Sequence, residues 1–348
     1  MRKVWLFLLL CLFIFSGCSK SSEASDTQNA VQSAGDSVTA QSDNATSSNS
    51  QNTHSTPERS PEDAYAAFLS ESPTLSDLSV YIDQNIELAP GHLANQMMQD
   101  WIVQLDMSAS DRDSVFYGSD SETYFTVLYA VADKLYETTG DSLFMGNQKQ
   151  EILGLVKDAD VKAYLDALFS EGYGLMSSEG LFYAYPDYVY MLEKYGQYTS
   201  ESLNAYLQVM VNEIKSPLFA EESLNVSVDE LFQRTYYYET LFESTQDLHD
   251  SLRMNLSGLL NMYYYRLLVP SSYDMLDDNH RVPESLKVYY QEASVHTDTP
   301  ITAALSKEML SYFNEKGDIL NVFDDPSIYE HANQYFEIEL NKALQIGE

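Results

Sequence analysis

Leu252-Arg253-Met254-Asn255-Leu256-Ser257-Gly258-Leu259-Leu260-Asn261-Met262-Tyr263-Tyr264-Tyr265-Arg266-Leu267-Leu268-Val269-Pro270 reads as one long amphipathic helix. Apolar residues recur at Leu252, Leu256, Leu259, Leu260, Tyr263 and Leu267, the i, i+3, i+4, i+7 rhythm of a single helical face. Pro270, which lacks an N–H, stops the pattern. The same rhythm appears on both sides. Before it, Ser227 and Glu230 have capping-box spacing ahead of Val228, Leu231, Phe232, Thr235 and Phe242. Further back, Ser119 and Glu122 form a second such pair ahead of Tyr124, Val127, Leu128, Val131, Ala132 and Leu135.

Working outward, helical spacing extends over 62–70, 92–105, 147–157, 160–170, 186–195, 200–214, 284–292, 302–316 and 326–345. Ser60-Pro61-Glu62-Asp63 reads as a helix start, with Ser as N-cap and Pro at the first helical position. Asp325-Pro326 opens the last helix in the same way. The chain has only 14 Gly and 10 Pro, and no alternating β-branched runs are joined by Asn-Gly or Asp-Gly, so no hairpin is expected. The body, residues 61–348, therefore reads as all-α. An irregular array of antiparallel helix pairs is expected, solenoid-like or multi-helix, in one body or two subdomains. No fixed internal period is present.

The chain upstream of this body has another character. Met1-Arg2-Lys3 is a positive start, and Val4 through Phe15 is an apolar run shorter than the about 20 residues that span a ~30 Å hydrocarbon core. It ends in Phe15-Ser16-Gly17-Cys18. This pattern resembles the export signal of bacterial lipoproteins, with Phe15 where those signals usually carry Leu. The resemblance implies cleavage between Gly17 and Cys18, so that 1–17 is a signal peptide and Cys18 carries a diacylglycerol anchor. An ordinary secretory signal and an uncleaved anchor are the competing readings. Of the two cysteines, Cys11 lies in the segment to be discarded, so the body can form neither a disulfide nor a Cys-ligated metal site. Residues 18–60 are dominated by Ser, Asn, Gln, Thr, Asp and Ala, with too little apolar surface to offset ordering entropy. They read as a disordered tether spanning roughly 35–40 Å.

The formal charge is −34. Phosphate backbones are bound through Lys and Arg, which excludes nucleic acid as an expected partner. Anionic lipid head groups would also repel the body, while the charge favours solubility. The expected attachment to membrane is through the lipid anchor alone, on the outer face of the cell membrane.

No constellation for catalysis emerges. There is no HExxH, EF-hand loop, Glu-x-x-His pair, Gly-x-Ser-x-Gly elbow or glycine-rich phosphate loop, so no metal and no cofactor is expected. Asp274 with Asp277-Asp278-Asn279-His280 is an acidic cluster, read as a solvated loop rather than a cation site. The six histidines, His54, His92, His249, His280, His296 and His331, are scattered.

The unusual feature of the body is tyrosine: 27 Tyr against 15 Phe and 2 Trp. Tyr236-Tyr237-Tyr238 and Tyr263-Tyr264-Tyr265 fan wider than one apolar stripe, which turns Tyr237 and Tyr265 off their main faces. Either the rings fill a second interface inside the helix array, or Tyr183, Tyr185, Tyr188, Tyr237 and Tyr265 line a groove for a glycan, peptide or partner protein. The stretch from Glu171-Gly172-Tyr173-Gly174 to Pro186-Asp187-Tyr188 reads as a glycine-punctuated loop between helices. It is similar to a segment of uncharacterised exported proteins of Gram-positive bacteria, a likeness that implies no activity. The expected function is a cell-surface lipoprotein with a non-catalytic helical binding module. The alternatives are an exported hydrolase of wall glycan or peptide using carboxylates, and the solute-binding lipoprotein of a transporter.

Overall fold

The computed structural model describes residues 59–117, 121–139, 148–178, 181–220, 223–270, 274–322 and 325–335. Thirteen helices are described: α1 (Pro61–Ser70), α2 (Leu75–Asn85), α3 (Gly91–Tyr117), α4 (Ser121–Thr139), α5 (Lys149–Leu155), α6 (Ala159–Glu171), α7 (Tyr188–Tyr195), α8 (Glu201–Lys215), α9 (Val228–Ser244), α10 (Asp250–Leu268), α11 (Glu284–Ser294), α12 (Pro300–Glu315) and α13 (Ser327–Tyr335). A 3-10 turn, Gly196–Tyr198, joins α7 to α8. The body is helical, as its periodicity predicts, and Ser60–Glu348 forms one compact unit. The signal, Cys18 and nearly all of the tether lie outside the described residues.

Local chemistry sets the helix starts. Ser60 Oγ accepts from Asp63 N at 3.1 Å, and Ser227 Oγ accepts from Glu230 N at 3.1 Å, each satisfying an N–H with no partner inside the helix. The Ser119 cap lies outside the described residues. Helix α2 is missing from the sequence reading, although it carries a full capping box: Thr74 Oγ1 accepts from Asp77 N, and Asp77 returns to Thr74 N. Its signal was the Thr74–Asp77 spacing, with Asp in the place usually taken by Glu or Gln.

The segment expected to be a loop is instead a β-hairpin. β1 (Tyr173–Ser178) pairs antiparallel with β2 (Leu181–Pro186), Tyr173 opposite Pro186 and Ser178 opposite Leu181. Glu179 and Gly180, which separate the strands in sequence, lie outside the described residues, and the Glu-Gly pair is neither the Asn-Gly nor the Asp-Gly that marks a tight hairpin. A second short pair, β3 (Phe219–Ala220) with β4 (Ser223–Leu224), lies between α8 and α9. The hairpin is internal: Tyr173, Leu175 and Phe182 are fully buried.

The long helix α3 is the hub. It packs against β2, α2, α4, α10 and the 3-10 turn, while α9 packs on α10 and α11 on α12. Contacts between elements distant in sequence, such as α2 with α6, depart from a solenoid, in which each repeat touches only its neighbours. The buried residues form one continuous apolar cluster around Trp101. Gly172 closes α6 at φ +109°, and a Cβ there would lie 2.3 Å from Cζ2 of Trp101. Only glycine accepts both that φ and that approach. Trp101 Nε1 completes the joint by donating to Glu171 O at 2.8 Å.

Eleven tyrosines belong to this core. Phenol hydroxyls tie one element to another: Tyr173 donates to Leu105 O, Tyr164 to Arg112 O, Tyr290 to Leu267 O and Tyr65 to Asp100. A ring supplies apolar area while its hydroxyl finds an acceptor on a neighbouring element. Burial raises the pKa of each of these phenols, so they stay protonated as donors.

Candidate functional site

Helix α3 leaves its first three turns beside the 3-10 turn and the α9–α10 connection. Between them is an open hollow of about 650 Å³. His92, Asn95, Gln96, Gln99 and Asp100 line it from α3, Tyr198, Thr199 and Ser200 from the turn, and Asp247, Leu248 and His249 from the connection. These positions on α3 fall at helical spacing, so their common face follows from the 3.6-residue period.

Backbone N–H groups orient the amides. Ser200 N donates to Asn95 Oδ1 at 3.1 Å, and His249 N donates to Gln99 Oε1. An N–H can only pair with the amide oxygen, so each NH2 group is turned the other way. Neither NH2 group has a hydrogen-bond acceptor among the described residues, although Gln99 is only 7% exposed. The same loops hold the other groups in place. Ser200 Oγ caps α8 through Leu203 N at 3.2 Å and faces Asp247 Oδ2 at 3.5 Å. His249 Nδ1 caps α10 by accepting from Ser251 N at 3.2 Å. That bond requires an unprotonated Nδ1, which places the ring proton of the neutral imidazole on Nε2.

Asp100 accepts from Tyr65 OH at 3.0 Å. Burial raises its pKa, opposed by the Tyr65 hydrogen bond, the nearby His249 and Gln96. The lining thus offers amide and imidazole donors beside carboxylate and hydroxyl acceptors, with no Lys or Arg among the residues that line it. It can pair with groups that both donate and accept, and it repels anions.

The five tyrosines singled out from the sequence do not meet here. Tyr185 and Tyr188 are core residues, 8% and 3% exposed. Tyr183 is half-buried, its ring 6.2 Å from that of Tyr117. Tyr265 is half-buried against the core, and Tyr237 stands out at 46% exposed. Tyr237 therefore leaves its stripe as the spacing predicts, whereas Tyr265 is taken up by a second packing interface. None of the five lines this hollow or the smaller one of about 540 Å³ bordered by Gln150, Lys162 and Asp166. Tyr185 and Tyr188 are thus core residues rather than groove lining: a hairpin strand packed on α3 sends Tyr185 inward, and the start of α7 does the same for Tyr188.

The Asp274–His280 cluster is a hydrogen-bonded turn. Asp277 Oδ1 accepts from Asn279 N and Arg281 N, each at 2.8 Å, and Asp274 Oδ2 accepts from Leu224 N at 2.8 Å. No group of His, Cys, Asp and Glu among the described residues could hold a metal ion. Among the described residues no helix is long and apolar enough to cross a membrane.

The hollow carried no local signal in the sequence. Its residues come from three segments about 50 to 100 positions apart, and its two histidines, His92 and His249, read as isolated. Set beside known proteins, the chain matches no protein-family model, no curated protein and no solved structure.

Proposed function

We propose that this chain is an exported bacterial lipoprotein, anchored through Cys18 on the outer face of the cell membrane, whose helical body is a non-catalytic binding module. The observation that carries the reading is the order of segments: Phe15-Ser16-Gly17-Cys18 after a short apolar run, then a Ser/Asn/Gln/Thr-rich stretch, then the helical body. The polar hollow supports a binding role, since it presents oriented donors and acceptors to a ligand. The strong negative charge suits a body held away from an anionic membrane.

Cys18→Ala tests the anchor. The variant should accumulate as unprocessed precursor or leave the cell, and should lose the lipid label seen on the parent chain in a fatty-acid incorporation assay. Unchanged membrane retention and labelling would overturn the reading.

A further inference from the structure

Building on the binding-module reading, we propose that the hollow at the start of α3 is a binding site for an uncharged oligosaccharide. Three observations meet there. The first is the pair of fixed amides. Asn95 and Gln99 each have the carbonyl oxygen held by a backbone N–H, and each NH2 group lacks an acceptor among the described residues. Gln99 is more than nine-tenths buried, and its amide nitrogen is the part that water or a ligand in the hollow can reach. The second is the set of acceptors lining the same hollow, the Asp100 carboxylate from α3 and the Asp247 carboxylate from the α9–α10 connection. A sugar hydroxyl both donates and accepts, so a lining that holds both amide donors and carboxylate acceptors pairs with it on both counts. The third is charge: no Lys or Arg lines the hollow and the chain carries −34, which rejects uronates, phosphates and sulfates.

The lining also favours a sugar over a peptide. Leu248 is 5% exposed, which leaves the half-buried ring of Tyr198 as the main apolar surface for a ligand. One aromatic ring among polar groups suits a pyranose, whereas peptide side chains would need apolar pockets. The volume of about 650 Å³ lies within the range of small-ligand sites, roughly 300–1,000 Å³. The walls are preorganised, because Ser200 and His249 are themselves the caps of α8 and α10.

The test is calorimetric titration of the full chain with chitotetraose, cellotetraose, tetragalacturonate and a Gly-Ser tetrapeptide. Saturable binding of a neutral tetrasaccharide, and none of the galacturonate, is expected. Asn95→Asp keeps an oxygen for Ser200 N but removes the free donor, and Asp247→Ala removes an exposed acceptor. Each should weaken binding on the order of tenfold, with the thermal midpoint little changed. The second variant keeps the test valid if the first disturbs the fold.

Failure of both neutral sugars to bind overturns the proposal, as does binding that both variants leave intact. Binding of the tetrapeptide in their place overturns the ligand class and leaves the binding module standing. Release of new reducing ends from a bound sugar would support the site while overturning the non-catalytic reading.

Discussion

Two groups of interior carboxylates, one on α3 and one between α8 and α12, face opposite electrostatic conditions. On α3, Asp106 accepts from Asn255 Nδ2 at 2.9 Å and from Tyr188 OH at 3.4 Å, with no cation beside it. Asp113 accepts from Ala184 N at 2.6 Å. Burial pushes both up to about 6, and these few hydrogen bonds pull them only partly back. In the second region Glu213 Oε1 receives Arg234 Nη1 at 3.1 Å and the hydroxyls of Tyr238 and Tyr263, each at 2.6 Å. Glu239, 1% exposed, receives Ile301 N, Thr302 N and Thr302 Oγ1, and so caps α12 from a neighbouring helix. What separates the regions is the number and charge of the donors aimed at each carboxylate. An acid with three donors ties its neighbouring elements together, whereas Asp106 and Asp113, with only one or two, are held in place against their own ionisation.

The largest effect should come from the well-paired side of this contrast. Glu213→Ala leaves the Arg234 guanidinium with Glu230, Ser216 O and, at 3.4 Å, the Tyr263 hydroxyl, and strips two phenols of their carboxylate acceptor. A loss of about 3–5 kcal/mol is expected in urea unfolding. A loss below about 1 kcal/mol would show that the network contributes little.

Next comes the joint that carries α3. Gly172→Ala adds a methyl against Trp101 at a φ that L residues rarely adopt, so a loss of about 3 kcal/mol is expected. Indole fluorescence should report the displaced Trp101 ring. A variant as stable as the parent, with the same emission, would mean that the hairpin can move away from α3 freely.

The smallest effect has the opposite sign. Asp106 and Asp113 hold protons up to about pH 6 when folded, against about 3.9 for an ordinary aspartate in the unfolded chain. Between those values the folded state binds more protons, so the contribution of these two groups to stability grows as the pH falls from 7 towards 4. Asp106→Asn should therefore stabilise the chain by roughly 1–2 kcal/mol at pH 7 and flatten that part of the profile. Thermal midpoints measured from pH 4 to pH 8 check this. Equal destabilisation of the variant at every pH would show that the ionised form is needed.

The helices were the legible part of the chain. Their apolar stripes and the caps at Ser60 and Ser227 act within a few residues, so the pattern is present in the local sequence. The hairpin carries no clear signal because the residues between its strands are Glu-Gly and the strands hold three tyrosines and no β-branched residue. It is held by tertiary bonds that no local pattern displays, namely Tyr117 OH donating to Phe182 O and Ala184 N donating to Asp113 Oδ1. The tyrosine runs were visible from the start, but whether they formed a groove or a core depended on which elements packed on both sides of them.

The sequence by itself determined that the body is helical, that it carries no thiol, that its charge is strongly negative, and that Phe15-Ser16-Gly17-Cys18 precedes it. Each of these is a matter of composition or of neighbours a few positions apart. Only the tertiary structure decided that α3 is the hub, that phenols serve as ties between elements, and that Asn95, Gln99, Asp100, Asp247 and His249 share one hollow. Those outcomes depend on contacts between residues as many as 150 positions apart, set by how helix faces pack rather than by any short-range preference.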